Sequence, residues 1–236
     1  MNYKTKMKWQ RFKRGPYITY TLLAITGIMF LIQEFLGGST NTLVLLRLGA
    51  KMNELIVLGD WYRLLTPMFL HIGLMHLVFN GLVIYFLGIQ LETVFGHWRF
   101  FLLYILSALA GNAASFAFNS NISAGASTAL FGLFGSTLVL KKLFPVHPQI
   151  NAMAKNFSVL IVLNLIFGLF SSGIDMAGHI GGLVGGYLIA FALSAPNAWN
   201  KNVKRQVLFA VLYVVLILIL ILLGYSRFIP LSTLFS

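Results

Sequence analysis

The chain of 236 residues is 58% hydrophobic and 9% charged, with a mean hydropathy of +0.86, too few charges to cover a water-soluble surface. It reads as an integral membrane protein, so the net charge of +12, which in a soluble domain would point to nucleic acid, is read as a topology signal and no nucleic-acid partner is expected. The absence of cysteine excludes disulfides, thiol catalysis and thiolate metal sites together.

Residues 1–16 hold six basic side chains, Lys4, Lys6, Lys8, Arg11, Lys13 and Arg14, and no acidic one. The apolar run that follows has spanning length, about 20 residues, and lacks a small-residue cleavage site at its end, so it reads as a retained first helix rather than a signal peptide. Seven apolar segments predict membrane helices at 17–36, 68–90, 100–118, 125–140, 157–170, 177–195 and 207–225. The expected division is a basic cytoplasmic segment, 1–16, a six-helix core, 17–195, a linker, 196–206, and an additional C-terminal helix with a short outer tail, 207–236.

Cytoplasmic segments retain Lys and Arg. The N-terminus and the loops 91–99, 141–156 and 196–206 carry thirteen basic residues, against four (Arg47, Lys51, Arg63 and Arg227) on the other side, which predicts an inward N-terminus and an outward C-terminus. The second, fourth and sixth segments then all enter from the outer face, and their first halves share one level of the membrane. That layer holds His71, His76 and Asn80 on the second segment, Ser127 on the fourth and His179 on the sixth. Polar side chains inside a membrane are expensive, which makes such a layer a functional-site hypothesis by default.

The first outer loop, 37–63, is half apolar and is expected to lie in the interface, with Trp61 and Tyr62 at headgroup level and Arg63 reaching lipid phosphates. The fourth and fifth segments are short, about 16 and about 14 residues against the roughly 20 that cross a hydrocarbon core. A short fourth helix is tolerated if its outer end opens into a protein-lined cavity, which would give Ser127 water, or if the bilayer thins around it; length does not separate the two.

The fourth segment opens on Gly125-Ala126-Ser127-Thr128. A serine in the first turn of a helix stands beside unpaired N–H groups and the positive dipole end, which can hold an oxyanion. Small residues at four-residue spacing nevertheless mark close helix packing more often than catalysis. In the sixth segment Gly178, Gly182 and Gly186 leave one face nearly bare backbone, and Gly132 and Gly135 thin the fourth in the same way, so the two helices can approach closely with His179 flanking the contact within reach of Ser127. A hydroxyl with a neutral imidazole as its base is the minimum for acyl transfer.

Quieter readings stand beside these. His179 alone would more often be a packing residue, and Asp175, four residues before it, fits a Ser-His-Asp triad or a helix cap equally well. His71 and His76, five apart, share a helix face poorly, and no His-Glu-x-x-His motif accompanies them, so no metal is expected. Asn112 and Asn164 read as hydrogen bonds joining helices, and Glu92 and Arg99 as structural residues bounding a turn.

Taken together the motifs resemble the rhomboid family of intramembrane serine proteases. Trp61-Tyr62-Arg63 is similar to its Trp-Arg loop element, His71, His76 and Asn80 to its His-x4-His-x3-Asn helix, Gly125-Ala126-Ser127 to its nucleophile motif, and His179-Ile180-Gly181-Gly182 to the base on a glycine-rich helix. The resemblance covers roughly residues 17–195, and the seventh helix resembles the extra C-terminal span of some members. It implies an all-α polytopic membrane bundle of six helices plus one. It further implies Ser127 as nucleophile and His179 as general base in a dyad, which demotes Asp175. His76, Asn80 and the Ser127 N–H would hold the oxyanion, with Phe131, His71, Gly125 and Gly182 as candidate supporting residues.

The implied substrate is a single-pass membrane protein, cut within or next to its transmembrane helix in the lipid bilayer of the cell membrane, and no cofactor is implied. Three positions depart from the pattern. Thr128 stands where glycine is usual, Phe131 replaces a tyrosine and keeps a ring to stack on His179 without the hydroxyl, and Tyr62 is inserted between Trp61 and Arg63. One rival reading is a proteolytically inactive rhomboid-like protein that binds or sorts membrane clients; retention of Ser127, His179, His76 and Asn80 together argues against it. The other is a transporter or proton channel, which would spread polar groups through the membrane depth, whereas the inner halves of these helices are largely apolar.

Overall fold

The structure is a computed structural model that describes residues 15–171, 173–199 and 201–228. Its nine described α-helices are α1 (Tyr17–Phe35), α2 (Thr42–Arg47), α3 (Asn53–Val57), α4 (Leu74–Phe95), α5 (His97–Phe118), α6 (Ser127–Leu143), α7 (Pro148–Leu169), α8 (Met176–Leu193) and α9 (Val203–Phe228), with two 3-10 turns, Trp61–Leu64 and Thr66–Phe69, before α4. Among the described residues no strand forms beyond one isolated bridge, Lys51 with Ser123. Of the basic segment 1–16 only Gly15 and Pro16 are described, and the expected tail beyond Phe228 also lies outside the described residues.

Six helices, α1, α4, α5, α7, α8 and α9, are long and apolar enough to cross a membrane. The remaining long helix, α6, has 17 residues and is buried along nearly its whole length, packed against α5, α7 and α8. Protein rather than lipid covers it, so it need not match the hydrocarbon thickness. The expectation of a short fifth helix fails: α7 has 22 residues. Its first turns carry Gln149, Asn151, Lys155 and Asn156, which dilute the hydropathy, while Pro148 at the first helical position starts the helix where no orphan N–H is lost. The second membrane helix likewise starts six residues later than predicted, at Leu74, because 66–69 close a 3-10 turn instead.

The end of α4 holds the start of α1. The carboxylate of Glu92, 2% exposed, accepts the Ile18 and Thr19 N–H groups at 3.0 and 2.8 Å and the Thr19 hydroxyl at 2.7 Å, and His97 Nδ1 lies 2.5 Å from it. A carboxylate on the first N–H groups of a helix satisfies donors the helix cannot and meets the positive dipole end. Glu92 is therefore structural, as its place in the sequence indicates.

The first loop folds into α2 and α3. Its Arg63, predicted to reach phosphates, instead turns inward: it is 5% exposed and donates to Leu46 O, Ala50 O and the Asp60 carboxylate, each at 2.9 Å. The guanidinium fork closes three loop groups at once, which outweighs an excursion to solvent. Trp61 and Tyr62, by contrast, stay half exposed. The C-terminal part of α9 packs on this loop, with the Tyr225 ring 5.6 Å from Trp61 and its hydroxyl donating to Ile56 O at 3.3 Å.

Glycine sets the centre of the bundle. A Cβ on Gly182 would strike the Thr128 carbonyl, one on Gly186 the Gly132 backbone and one on Gly135 the Leu183 carbonyl, so α8 lies backbone to backbone on α6. This contact places the first turn of α8, with His179, beside the first turn of α6, with Ser127. Gly186→Ala should therefore cost about 1–3 kcal/mol, the range of an overpacked core. The check is the thermal midpoint in detergent, and an unchanged midpoint would show that the two helices part freely.

Candidate active site

A cavity of about 650 Å³ opens at the end where α4, α6 and α8 begin, and Ser127, His179, His76 and Asn80 all line it. Four side chains from three helices, separated by up to 103 positions in sequence, thus face one space.

Ser127 is the first residue of α6, and Gly125 turns the chain into it with φ +141°, its N–H held by Pro67 O at 2.9 Å. Only glycine fits there. A Cβ would lie 2.6 Å from His76 Cε1 and 2.9 Å from Nε2, so the missing side chain is what admits the Nε2 edge of His76 to the Ser127 side of the cavity. The same point is 3.7 Å from Ser127 Oγ.

His76 sits in the first turn of α4, and its Nδ1 accepts the Ile72 N–H at 3.4 Å. A neutral imidazole that accepts at Nδ1 carries its proton on Nε2, so the edge at Gly125 is a donor. Asn80 follows four residues later on the same helix face. Its Nδ2 is buried and has no hydrogen-bond partner among the described residues, an uncommon state for a buried amide and one that leaves a donor for an incoming group.

His179 is 9% exposed, and its ring stacks on Phe131 with centroids 4.1 Å apart and planes inclined by 16°. Its Nδ1 is buried without a partner among the described residues. The stack fixes the ring plane by packing where a carboxylate would otherwise do it. Asp175 does not bond the ring. Its Oδ1 accepts the Gly178 N–H at 2.9 Å as the cap of α8, and its Oδ2 accepts the hydroxyls of Ser123 at 2.8 Å and of Ser115.

The four residues expected to carry chemistry are brought to one cavity, with Phe131 against the ring of His179, Gly125 against His76 and Gly182 in the α6–α8 contact. His71 is a correction. It precedes α4 instead of lying on it, so the helical-rotation argument that separated it from His76 does not apply. Its ring, fully buried, meets that of His76 edge-on at 5.1 Å. Asn164 is another: it bonds Leu160 O of its own helix at 2.8 Å and joins no other element among the described residues, although it lines the cavity. Asn112 does join elements, through Leu64 O at 3.0 Å.

Lys51, Ser115 and Ser123 were not singled out in sequence, and each holds the mouth. The buried ammonium of Lys51 donates to Asn119 O at 2.6 Å and Asn121 O at 2.8 Å. Burial pushes its pKa down from 10.5 to about 8, against the attraction of Asp175 and Glu54. Between about 8 and 10.5 the unfolded chain holds this proton and the folded one does not, so stability should rise with pH across that window. Thermal midpoints from pH 7.5 to 10.5 check this, and Lys51→Met should flatten the slope. For Asp175 burial raises the pKa, but the Ser115, Gly178 and Ser123 bonds together bring it below the ordinary value; its stabilising share is present above 3.8 and is lost as pH falls through the lower folded value. Asp175→Asn should lower stability and leave kcat nearly intact, whereas a loss on the order of 10³-fold would restore a triad.

A bundle of membrane-length helices around a buried central helix, with a serine at its head and histidines from two neighbouring helices in one cavity, is a polytopic membrane protein with a hydrolase-like site. The family model described as Rhomboid domain matches residues 58–196. The chain is 44% identical over 192 residues to Rhomboid protease GluP of Bacillus subtilis, covering 79% of this chain and 37% of that protein. It is 38% identical over 164 residues to RHOMBOID-like protein 6, mitochondrial, of Arabidopsis thaliana (68% of this chain, 52% of that protein). To Rhomboid-like protease 2 of Toxoplasma gondii it is 37% identical over 159 residues (66% and 55%). The chain belongs to the rhomboid family; it spans between about a third and about a half of the length of these relatives.

Proposed function

We propose that this chain is an intramembrane serine endopeptidase that cleaves single-pass membrane proteins within or next to their transmembrane segment. The observation that carries the reading is the single cavity shared by Ser127, His179, His76 and Asn80. The names of the relatives, two of which are proteases in their printed names, support it.

In the proposed sequence neutral His179 takes the proton of Ser127 Oγ as that oxygen attacks the scissile carbonyl carbon. The carbonyl oxygen becomes an oxyanion, met by His76 Nε2–H, Asn80 Nδ2–H and the first N–H of α6, donors already in place before charge develops. His179 then protonates the departing amide nitrogen and leaves a Ser127 ester. Water enters from the polar mouth formed by Asn119, Asn121, Ser123 and Asp175 and gives a proton to His179 as its oxygen attacks the ester carbon; the bond from that carbon to Ser127 Oγ breaks, His179 returns the proton to Oγ, and the acid product leaves and ionises. The chemistry calls for no cofactor.

The reading places the chain in the cell membrane with its N-terminus in the cytoplasm and its C-terminus outside, from the distribution of Lys and Arg. Reporter fusions after Arg205 and after Phe235 should lie on opposite sides; the same side for both would remove the seventh crossing. The test of the function is incubation of purified protein with a model transmembrane substrate, comparing the wild type with Ser127→Ala. Cleavage by both, or by neither, would overturn it, and binding without cleavage would favour a client-sorting member.

A further inference from the structure

We infer that Gln33, on α1, is a positioning residue for the oxyanion donor His76, an inference that rests on the proposed role of His76. Gln33 is fully buried, and both ends of its amide are spent on one residue: Nε2 donates to His71 O at 3.0 Å and Oε1 accepts the His71 N–H at 3.1 Å. It thereby reproduces, from another helix, the paired bonds that a neighbouring strand would give. The segment it holds, between the 3-10 turn Thr66–Phe69 and the start of α4, has no other regular structure.

Two consequences reach His76 from this clamp. The His71 ring, fully buried, meets the His76 ring edge-on at 5.1 Å, so a shift of the His71 backbone passes to His76 through the ring contact. The next residue, Ile72, donates its N–H to His76 Nδ1 at 3.4 Å. That bond selects the tautomer with the proton on Nε2, the edge that lies against Gly125. Without the clamp the Ile72 N–H is free to turn away, the tautomers mix, and part of the population presents a lone pair where the oxyanion forms. Gln33 itself touches neither substrate nor reacting atoms and does not line the cavity.

The test compares wild type, Gln33→Leu, Gln33→Glu and His76→Ala in detergent with a model transmembrane substrate. Gln33→Leu removes both bonds; Gln33→Glu keeps an acceptor for the His71 N–H and loses the donor to His71 O. The expected result is a kcat reduced on the order of 10- to 100-fold in Gln33→Leu and less in Gln33→Glu, with apparent KM unchanged, since only placement of a catalytic group is lost. Nitrogen-15 spectra of histidine-labelled protein should show the Nε2-protonated form of His76 in the wild type and mixed tautomers in Gln33→Leu, a signature that loss of stability alone would not produce. If Gln33→Leu fails to fold, Gln33→Glu carries the same two readouts. Wild-type kcat and tautomer in a folded Gln33 variant, with His76→Ala strongly impaired, would overturn the inference alone; wild-type kcat in His76→Ala would overturn the reading beneath it as well.

Discussion

Ser127→Ala and His179→Ala should each reduce turnover of a transmembrane substrate on the order of 10⁶-fold, the scale on which nucleophile and base of a serine protease act as one unit. Losing either member forfeits the same covalent step, so the double variant should be little worse than either single one. A serine-reactive fluorophosphonate should label the wild type at Ser127 and fail to label His179→Ala, because a hydroxyl without its base is a weak nucleophile at neutral pH. Both variants should fold: Ser127 loses only a hydroxyl facing the cavity, and His179 loses a ring stacked on Phe131, a packing cost that thermal midpoints will register. Labelling that survives His179→Ala would sink the dyad.

The candidate site was more legible in the sequence than the elements around it. Ser127, His179, His76 and Asn80 stand out because a polar group inside an apolar segment has a cost that must be met by function or pairing, and helix parity alone puts them at one level. The glycines at 178, 182 and 186 pointed to the α6–α8 contact for a related reason: small residues at four-residue spacing let a neighbouring backbone approach closely. Helix limits were less legible where hydropathy and hydrogen bonding diverge. Polar residues in the first turns of α7 hid its first nine positions, 148–156, and the apolar stretch before Leu74 passed for helix although Pro67 and Gly73 bound a segment that is not α-helical.

Residues that act through backbone partners left no pattern at all. Arg63 looked like a phosphate-seeking interface cation, yet besides the nearby Asp60 carboxylate its acceptors include carbonyls 13 and 17 positions earlier in the chain, which no local rule predicts. Gln33, Lys51 and Ser123 belong to the same class. Each satisfies main-chain groups or a distant carboxylate across the fold, and their roles exist only once the chain has been assembled. Asp175 shows the converse: spacing offered a triad, and two serine hydroxyls together with the cap of α8 use both of its carboxylate oxygens.

Removing the oxyanion donors should separate stabilisation of charge from generation of the nucleophile. His76→Ala and Asn80→Ala should each lower kcat on the order of 10²–10³-fold, about 3–4 kcal/mol of transition-state stabilisation, with apparent KM little changed because the ground-state carbonyl makes weaker use of the same donors. Asn80→Ala should leave the fold intact or slightly more stable, since it removes a buried amide Nδ2 that has no hydrogen-bond partner among the described residues. His71→Ala should be milder than either. The ring does not line the cavity and offers no donor to substrate, yet it packs against His76, so a smaller fall in kcat is expected in place of none. Kinetics in detergent for all three variants, with thermal midpoints as control, decide the matter. Unchanged kcat in folded His76→Ala and Asn80→Ala would leave the backbone N–H groups at the head of α6 to hold the charge alone.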